Sequence, residues 1–146
     1  MDTQLLQQQA EALYHQGRIA EAIPLLEQVA KRDPHPSADQ LSNLAYLLYL
    51  NGQMNPAESY LQQALAIDAD HAPSLSNIGL VYQQTGNLEK AEQYLRQAIE
   101  ADPAAIPQRC SLGALIMKRG AVFDAIDIFQ NALQIDESSP DVWSNL

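Results

Sequence analysis

The chain has 146 residues, with eight basic against eighteen acidic side chains and a formal net charge of −10. That balance excludes a nucleic-acid binder, because phosphate recognition needs a basic stripe. Its main consequence is a well-solvated surface, with a preference for basic partners as the lesser alternative.

Four glycines, Gly17, Gly52, Gly86 and Gly120, recur at intervals of 35, 34 and 34 residues. A fixed period in the thirties predicts stacked helical hairpins, each glycine ending a first arm in a left-handed turn. The first unit predicts arms over about 4–16 and 19–32, with Ala10 and Leu13 before the glycine and Ala22 and Leu26 after it. It departs from the others at Gln9 and Val29, where later units carry a large apolar and a small residue, and it has one extra residue in the His35-Pro36-Ser37 turn. The second unit predicts arms over about 38–51 and 54–67, where Leu41, Leu44, Ala45 and Leu48 follow the spacing of an amphipathic helix. In the third, arms over about 72–85 and 88–101 place Ile78, Gly79 and Tyr82 opposite Ala91, Leu95 and Ala98. The fourth, about 106–119 and 122–135, repeats this with Leu112, Gly113, Ile116, Ala125, Phe129 and Ala132. Arg109 stands there in place of Leu41 and Leu75, which predicts looser packing of that arm. Small residues at fixed offsets let the two arms of a hairpin approach closely.

Each second arm closes in a turn beginning with aspartate, at Asp33, Asp68, Asp102 and Asp136. After the last of these, Pro140 to Leu146 repeats the opening of a first arm, with Trp143 in the register of Leu41 and Leu146 in that of Leu44. The expected fold class is therefore all-α, an α-solenoid of antiparallel helix pairs without strands. It forms a single array over 1–146, with units at about 3–36, 38–71, 72–105 and 106–139 and a partial fifth at 140–146. Arrays normally end in a polar-faced cap. A fifth unit that starts and stops reads as the N-terminal piece of a longer protein, or else as a short natural capping helix. Both readings leave apolar surface on the last hairpin, which invites self-association.

The stretch from Leu75 to Pro103, LSNIGLVYQQTGNLEKAEQYLRQAIEADP, resembles a tetratricopeptide repeat (TPR), and the resemblance covers nearly the whole chain. It implies a TPR superhelix that acts as a protein–protein interaction module. The Ser-Asn-Leu/Ile run also resembles the arrays of O-linked N-acetylglucosamine transferases and similar bacterial proteins. That resemblance implies asparagines lining a concave face and holding peptide, with Asn43, Asn77 and Asn145 matching while Ser111 and, in unit one, Gln8 depart.

Nothing points to catalysis. His15, His35 and His71 are never two at i, i+4, Glu11 beside His15 lacks a third ligand, and paired cysteines and glycine-rich phosphate loops are missing. Arg109 alone does not activate Cys110. Neither a cofactor, a metal nor an enzymatic activity is expected. The single cysteine permits no internal disulfide, the start Met1-Asp2-Thr3-Gln4 lacks the features of a secretory leader, and the longest apolar run, Leu44 to Leu50, is too short to cross a bilayer. A cytoplasmic setting without membrane insertion is the expectation.

Binding has better material. Asn43, Asn77, Ser111 and Asn145 share one place on successive first arms, and Ser42, Ser76, Cys110 and Ser144 precede them, which predicts a polar ladder on one surface. An asparagine offers a donor and an acceptor, so the ladder either pairs with the backbone of an extended peptide or hydrogen-bonds a neighbouring helix. Beside it runs a less polar strip of Tyr46, Tyr49, Leu80, Gln83, Ala114 and Met117, with Glu11 and Tyr14 in unit one. Tyr49 is the one better placed to pack on an adjacent arm. A carboxylate clamp needs lysines and arginines on this wall, and only Lys118 is there. The expected function is capture of an extended peptide or a partner's helix. The alternatives are the non-catalytic, substrate-selecting N-terminal region of an enzyme such as a glycosyltransferase, and a self-assembling scaffold.

Overall fold

A computed structural model describes residues 2–104 and 106–135. Eight helices occupy them: α1 Thr3–His15, α2 Ile19–Arg32, α3 Ala38–Leu50, α4 Met54–Ile67, α5 Ala72–Thr85, α6 Leu88–Ala101, α7 Ile106–Lys118 and α8 Val122–Ile135. They match the expected arms to within one residue, and the described residues contain no strand. The turn at Asp136, the partial fifth unit and Asn145 lie outside the described residues.

The four spacing glycines all have positive φ, between 76° at Gly17 and 90° at Gly86. Around Gly17 the hydrogen bonds are those of a Schellman motif: Gly17 N–H donates to the Tyr14 carbonyl at 2.9 Å and Arg18 N–H to the Leu13 carbonyl at 2.9 Å. The turn recurs at Gly52, Gly86 and Gly120 with the equivalent donors and acceptors. A left-handed residue without Cβ strain reverses the chain there and satisfies the last carbonyls of the first arm. Helix starts are capped locally. Ser37 and Gln40 form a reciprocal capping box at α3, and Asn87 Oδ1 accepts from Lys90 N–H at α6.

The chain divides into two compact units, Met1–Asn77 and Ile78–Leu146, with the boundary inside α5. In the first, α1 packs on α2, α2 on α3 and α3 on α4. Ala10, Ala22, Ala45, Ala57 and Ala64 are all buried at these crossings, with Leu6, Leu44, Leu48 and Leu61 filling the spaces between. Gln9, which departs from the register, is exposed, and Val29 is buried in place of the usual small residue.

In the second unit, α6 packs on α7 and α7 on α8. A Cβ on Gly79 would stand 3.0 Å from Leu95 Cγ, and one on Gly113 only 2.7 Å from Phe129 Cζ, so both glycines are packing residues inside helices. Tyr82 stacks on Tyr94 with ring centroids 5.6 Å apart, and Lys90 Nζ lies 5.2 Å from the Tyr82 centroid. Arg109 is half-buried where Leu41 and Leu75 are buried, and its guanidinium donates to the Pro103 carbonyl of the preceding turn. Glu92 accepts from Arg96 one turn ahead at 2.9 Å and from Arg119 beyond α7, tying α6 to the end of the next arm.

Candidate functional site

The first unit contains an open groove of about 640 Å³. One wall is α1, contributing Gln7, Glu11, Tyr14 and His15; the other is α3, contributing Gln40, Asn43 and Tyr46, and Pro73 and Asn77 of α5 extend it. Leu26 and Val29 of α2 and Ala10, Ser42 and Leu47 complete the floor. These side chains converge because the register repeats: Glu11 and Tyr46, like Tyr14 and Tyr49, hold equivalent places on successive first arms.

Asn43, Tyr46 and Asn77, all expected at a peptide site, line this groove together. Asn43 is exposed and Tyr46 half-buried. Tyr49 does not line it; it is half-buried and its ring lies 6.2 Å from that of Tyr46, tilted by 32°, in ring-to-ring contact with it. Asn77 Nδ2 donates to Ser42 Oγ at 3.0 Å and approaches the Ser42 carbonyl at 3.5 Å. Of the two roles open to an asparagine at this place, Asn77 performs the helix-to-helix one, clasping α5 to α3.

The serine rung of the expected surface ladder needs correction. Ser42, Ser76 and Cys110 are buried, so this place on the first arm presents no exposed polar row, and Ser42 lies only at the floor of the groove. Ser42 spends its hydroxyl on Asn77, while Ser76 Oγ has no partner among the described residues. Ser111 Oγ donates back to the Pro107 carbonyl at 3.0 Å, a bond within its own helix. In the second unit, Leu80 and Gln83 are half-buried and Met117 is exposed.

Sequence reasoning passed over His71. Its Nε2 lies 2.6 Å from Asp39 Oδ1 and its Nδ1 2.6 Å from Ser74 Oγ. The connectivity is that of an acid–histidine–hydroxyl chain, yet Ser74 is fully buried and no substrate can reach its hydroxyl. The chain is structural: it fastens the start of α5 to the start of α3. Spacing could not reveal it, since Asp39 and His71 are 32 residues apart. Among the described residues no group of three or more histidine, cysteine or acidic side chains is placed to hold a metal ion, and no helix is long and apolar enough to cross a membrane.

Tetratricopeptide-repeat family models match residues 4–35, 37–104 and 76–140. No curated protein sequence matches the chain. Among solved structures, MamA from Desulfovibrio magneticus RS-1 is similar with a TM-score of 0.84 at 22% identity, over 95% of this chain and 78% of that one. The thermophilic TPR protein TTC0263 of Thermus thermophilus gives 0.82 at 22% identity, over 99% and 79%. YrrB, described as a TPR protein with an unusual peptide-binding site, gives 0.78 at 18% identity, over 92% and 69%. These likenesses establish the all-α solenoid fold expected from the period.

Proposed function

Because the chain belongs to the tetratricopeptide repeat family, we propose that it is a protein–protein interaction module whose first unit holds an extended peptide in the groove between α1 and α3. The observation that carries this reading is the convergence of Asn43, Tyr46 and Asn77 on one open groove. Asn43 is the reader of peptide backbone, since its exposed amide offers a donor and an acceptor. Asn77, its amide plane fixed by Ser42, helps shape the wall. Tyr46, in ring contact with Tyr49, supplies a rigid aromatic surface for a ligand side chain. In the second unit Leu80, Gln83, Ser111 and Met117 are the corresponding candidates by register, as Asn145 is beyond it. YrrB is a precedent for peptide binding on this fold. On this reading the module acts by binding rather than by catalysis, in a cytoplasmic setting, through four units and the partial fifth at 140–146.

The test is a binding screen of a short-peptide library against the wild-type chain, followed by titration of the best binder against Asn43→Ala and Tyr46→Ala. Each substitution should weaken binding about tenfold, the loss of roughly 1–2 kcal/mol of contact energy, with helicity unchanged. Unchanged affinity in both variants would remove the groove from the function.

A second reading, self-assembly as a scaffold, draws on one observation. Phe123 is 85% exposed and its neighbour Val122 47%, at the start of α8. The equivalent places in the other units hold Ala20, Asn55 and Glu89 in the case of Phe123. Light scattering across a dilution series should show a mass that falls with dilution in the wild type and stays monomeric in Phe123→Glu.

A further inference from the structure

We propose that the groove of the first unit selects peptides carrying a lysine or arginine, whose cation is received by Glu11 and by the rings of Tyr14 and Tyr46. This inference rests on the peptide-binding reading and specifies its ligand.

Of the residues lining the groove, Glu11 is the only carboxylate, and no lysine or arginine accompanies it. A ligand carboxylate or phosphate entering there would find no lysine or arginine to pair with and one like charge to repel it. A ligand cation finds the reverse, and it approaches a molecule whose net charge is −10.

Geometry then narrows the receptor. Glu11 and Tyr14 stand one turn apart on α1, and His15 joins them: its Nε2 is 3.7 Å from Glu11 Oε1, and its ring meets Tyr14 edge-on with centroids 5.5 Å apart. The acid and the aromatic therefore sit around one imidazole rather than on opposite sides of the helix. Tyr14 is 39% exposed, and Tyr46 faces the same groove from α3. Aromatic faces beside a carboxylate attract a cation through ring quadrupole and Coulomb terms together, and the aliphatic stem of lysine or arginine lies well along a tyrosine. The ladder amide of Asn43 reads backbone and is indifferent to side chains. The cation subsite is what would give the groove a preference.

The repeat register does not require these residues. Position for position, Glu11 corresponds to Tyr46 in the second unit and Leu80 in the third. The acid is thus private to the first unit, at an exposed place where packing does not demand it.

The experiment uses the full chain and a peptide recovered from the library screen, synthesised with lysine and with its uncharged isostere norleucine at one site. The lysine form should bind the wild type about tenfold more tightly than the norleucine form, and added salt should narrow the gap. Glu11→Gln should bring the two forms to within about twofold of each other, chiefly through loss of lysine-peptide affinity. Glu89→Gln, an exposed change of the same charge on α6 outside the groove, should preserve the wild-type preference and so exclude a general effect of net charge. Equal binding of both forms to the wild type, with Asn43→Ala still weakening each, would overturn the cation subsite and leave peptide capture standing. If no peptide binds, both fall.

Discussion

Replacing Asn77 by alanine separates a structural asparagine from the one proposed to read the ligand. Asn77 Nδ2 stands 3.0 Å from Ser42 Oγ, and Ser42 is only 1% exposed. Truncation deletes a hydrogen bond worth about 1 kcal/mol net and leaves a buried hydroxyl short of a partner, for a combined loss of about 1–3 kcal/mol. For a chain of this size that corresponds to a fall in melting temperature of roughly 3–10 °C. Asn43→Ala, at the exposed equivalent place on α3, should stay within about 0.5 kcal/mol of the wild type. Urea or thermal melts of Asn77→Ala, Ser42→Ala and the double variant complete the test as a cycle. The two single losses should overlap, with a coupling of about 1 kcal/mol. Additivity within about 0.5 kcal/mol would show that the clasp contributes nothing, and the division of roles between the two asparagines would fail with it.

Further substitutions test the packing, the turn and the His71 link. Gly113→Ala puts a Cβ 2.7 Å from the fully buried ring of Phe129, a rigid neighbour, and should cost about 1–3 kcal/mol of overpacking, only partly offset by helix propensity. Gly79→Ala meets the more flexible Leu95 at 3.0 Å and should melt above Gly113→Ala, while Phe129→Leu should recover part of the Gly113→Ala loss. At Gly86 the space is open but φ is +90°, so Gly86→Ala should lose about 1–2 kcal/mol from backbone strain alone, seen as a lower denaturation midpoint. His71→Ala leaves the buried Ser74 hydroxyl unpaired and should cost about 1–3 kcal/mol; Asp39→Asn, whose side chain is 79% exposed, should cost less than half as much in the same melt.

The fold was legible because its determinants are local and repeated. Glycine at the turn, alanine at the crossing and leucine one turn away each report a backbone requirement that recurs every unit, so four copies vote on each boundary. The departures at Gln9 and Val29 were equally legible, since an exposed glutamine and a buried valine solve the same local problem. Chemistry between units was not legible to the same degree. The clasp from Asn77 to Ser42 spans 35 residues and the link from His71 to Asp39 spans 32, close to one period each, so only the phase of stacking brings them within reach. Asn43 and Asn77, which share a register, line one groove with Tyr46. Register misplaced the serines beside them because the offset of one residue on a helix turns a side chain through about 100°, from the open wall into the packed interior.

That same offset explains where selectivity has to reside in such a chain. Positions shared by all units are committed to the hairpin: Ala45 and Leu48 are buried, as are Ala57 and Leu61, and changing them changes stability before it changes recognition. On the proposed reading, ligand preference is carried by places that the period leaves free and that still face the groove. In the first unit these are Glu11 and Tyr14, exposed on α1, and Tyr46 across from them on α3. The acid at 11 has no counterpart in kind at Tyr46 or Leu80, so exchanging it costs the fold little and alters the groove's charge completely. A transplant follows: Glu11→Lys should keep the melting temperature within about 2 °C, because a surface charge change there breaks no packing contact, and should reverse the preference from basic to acidic peptides. Retained affinity for a lysine peptide in that variant would mean that recognition is set elsewhere than by the groove's own charge.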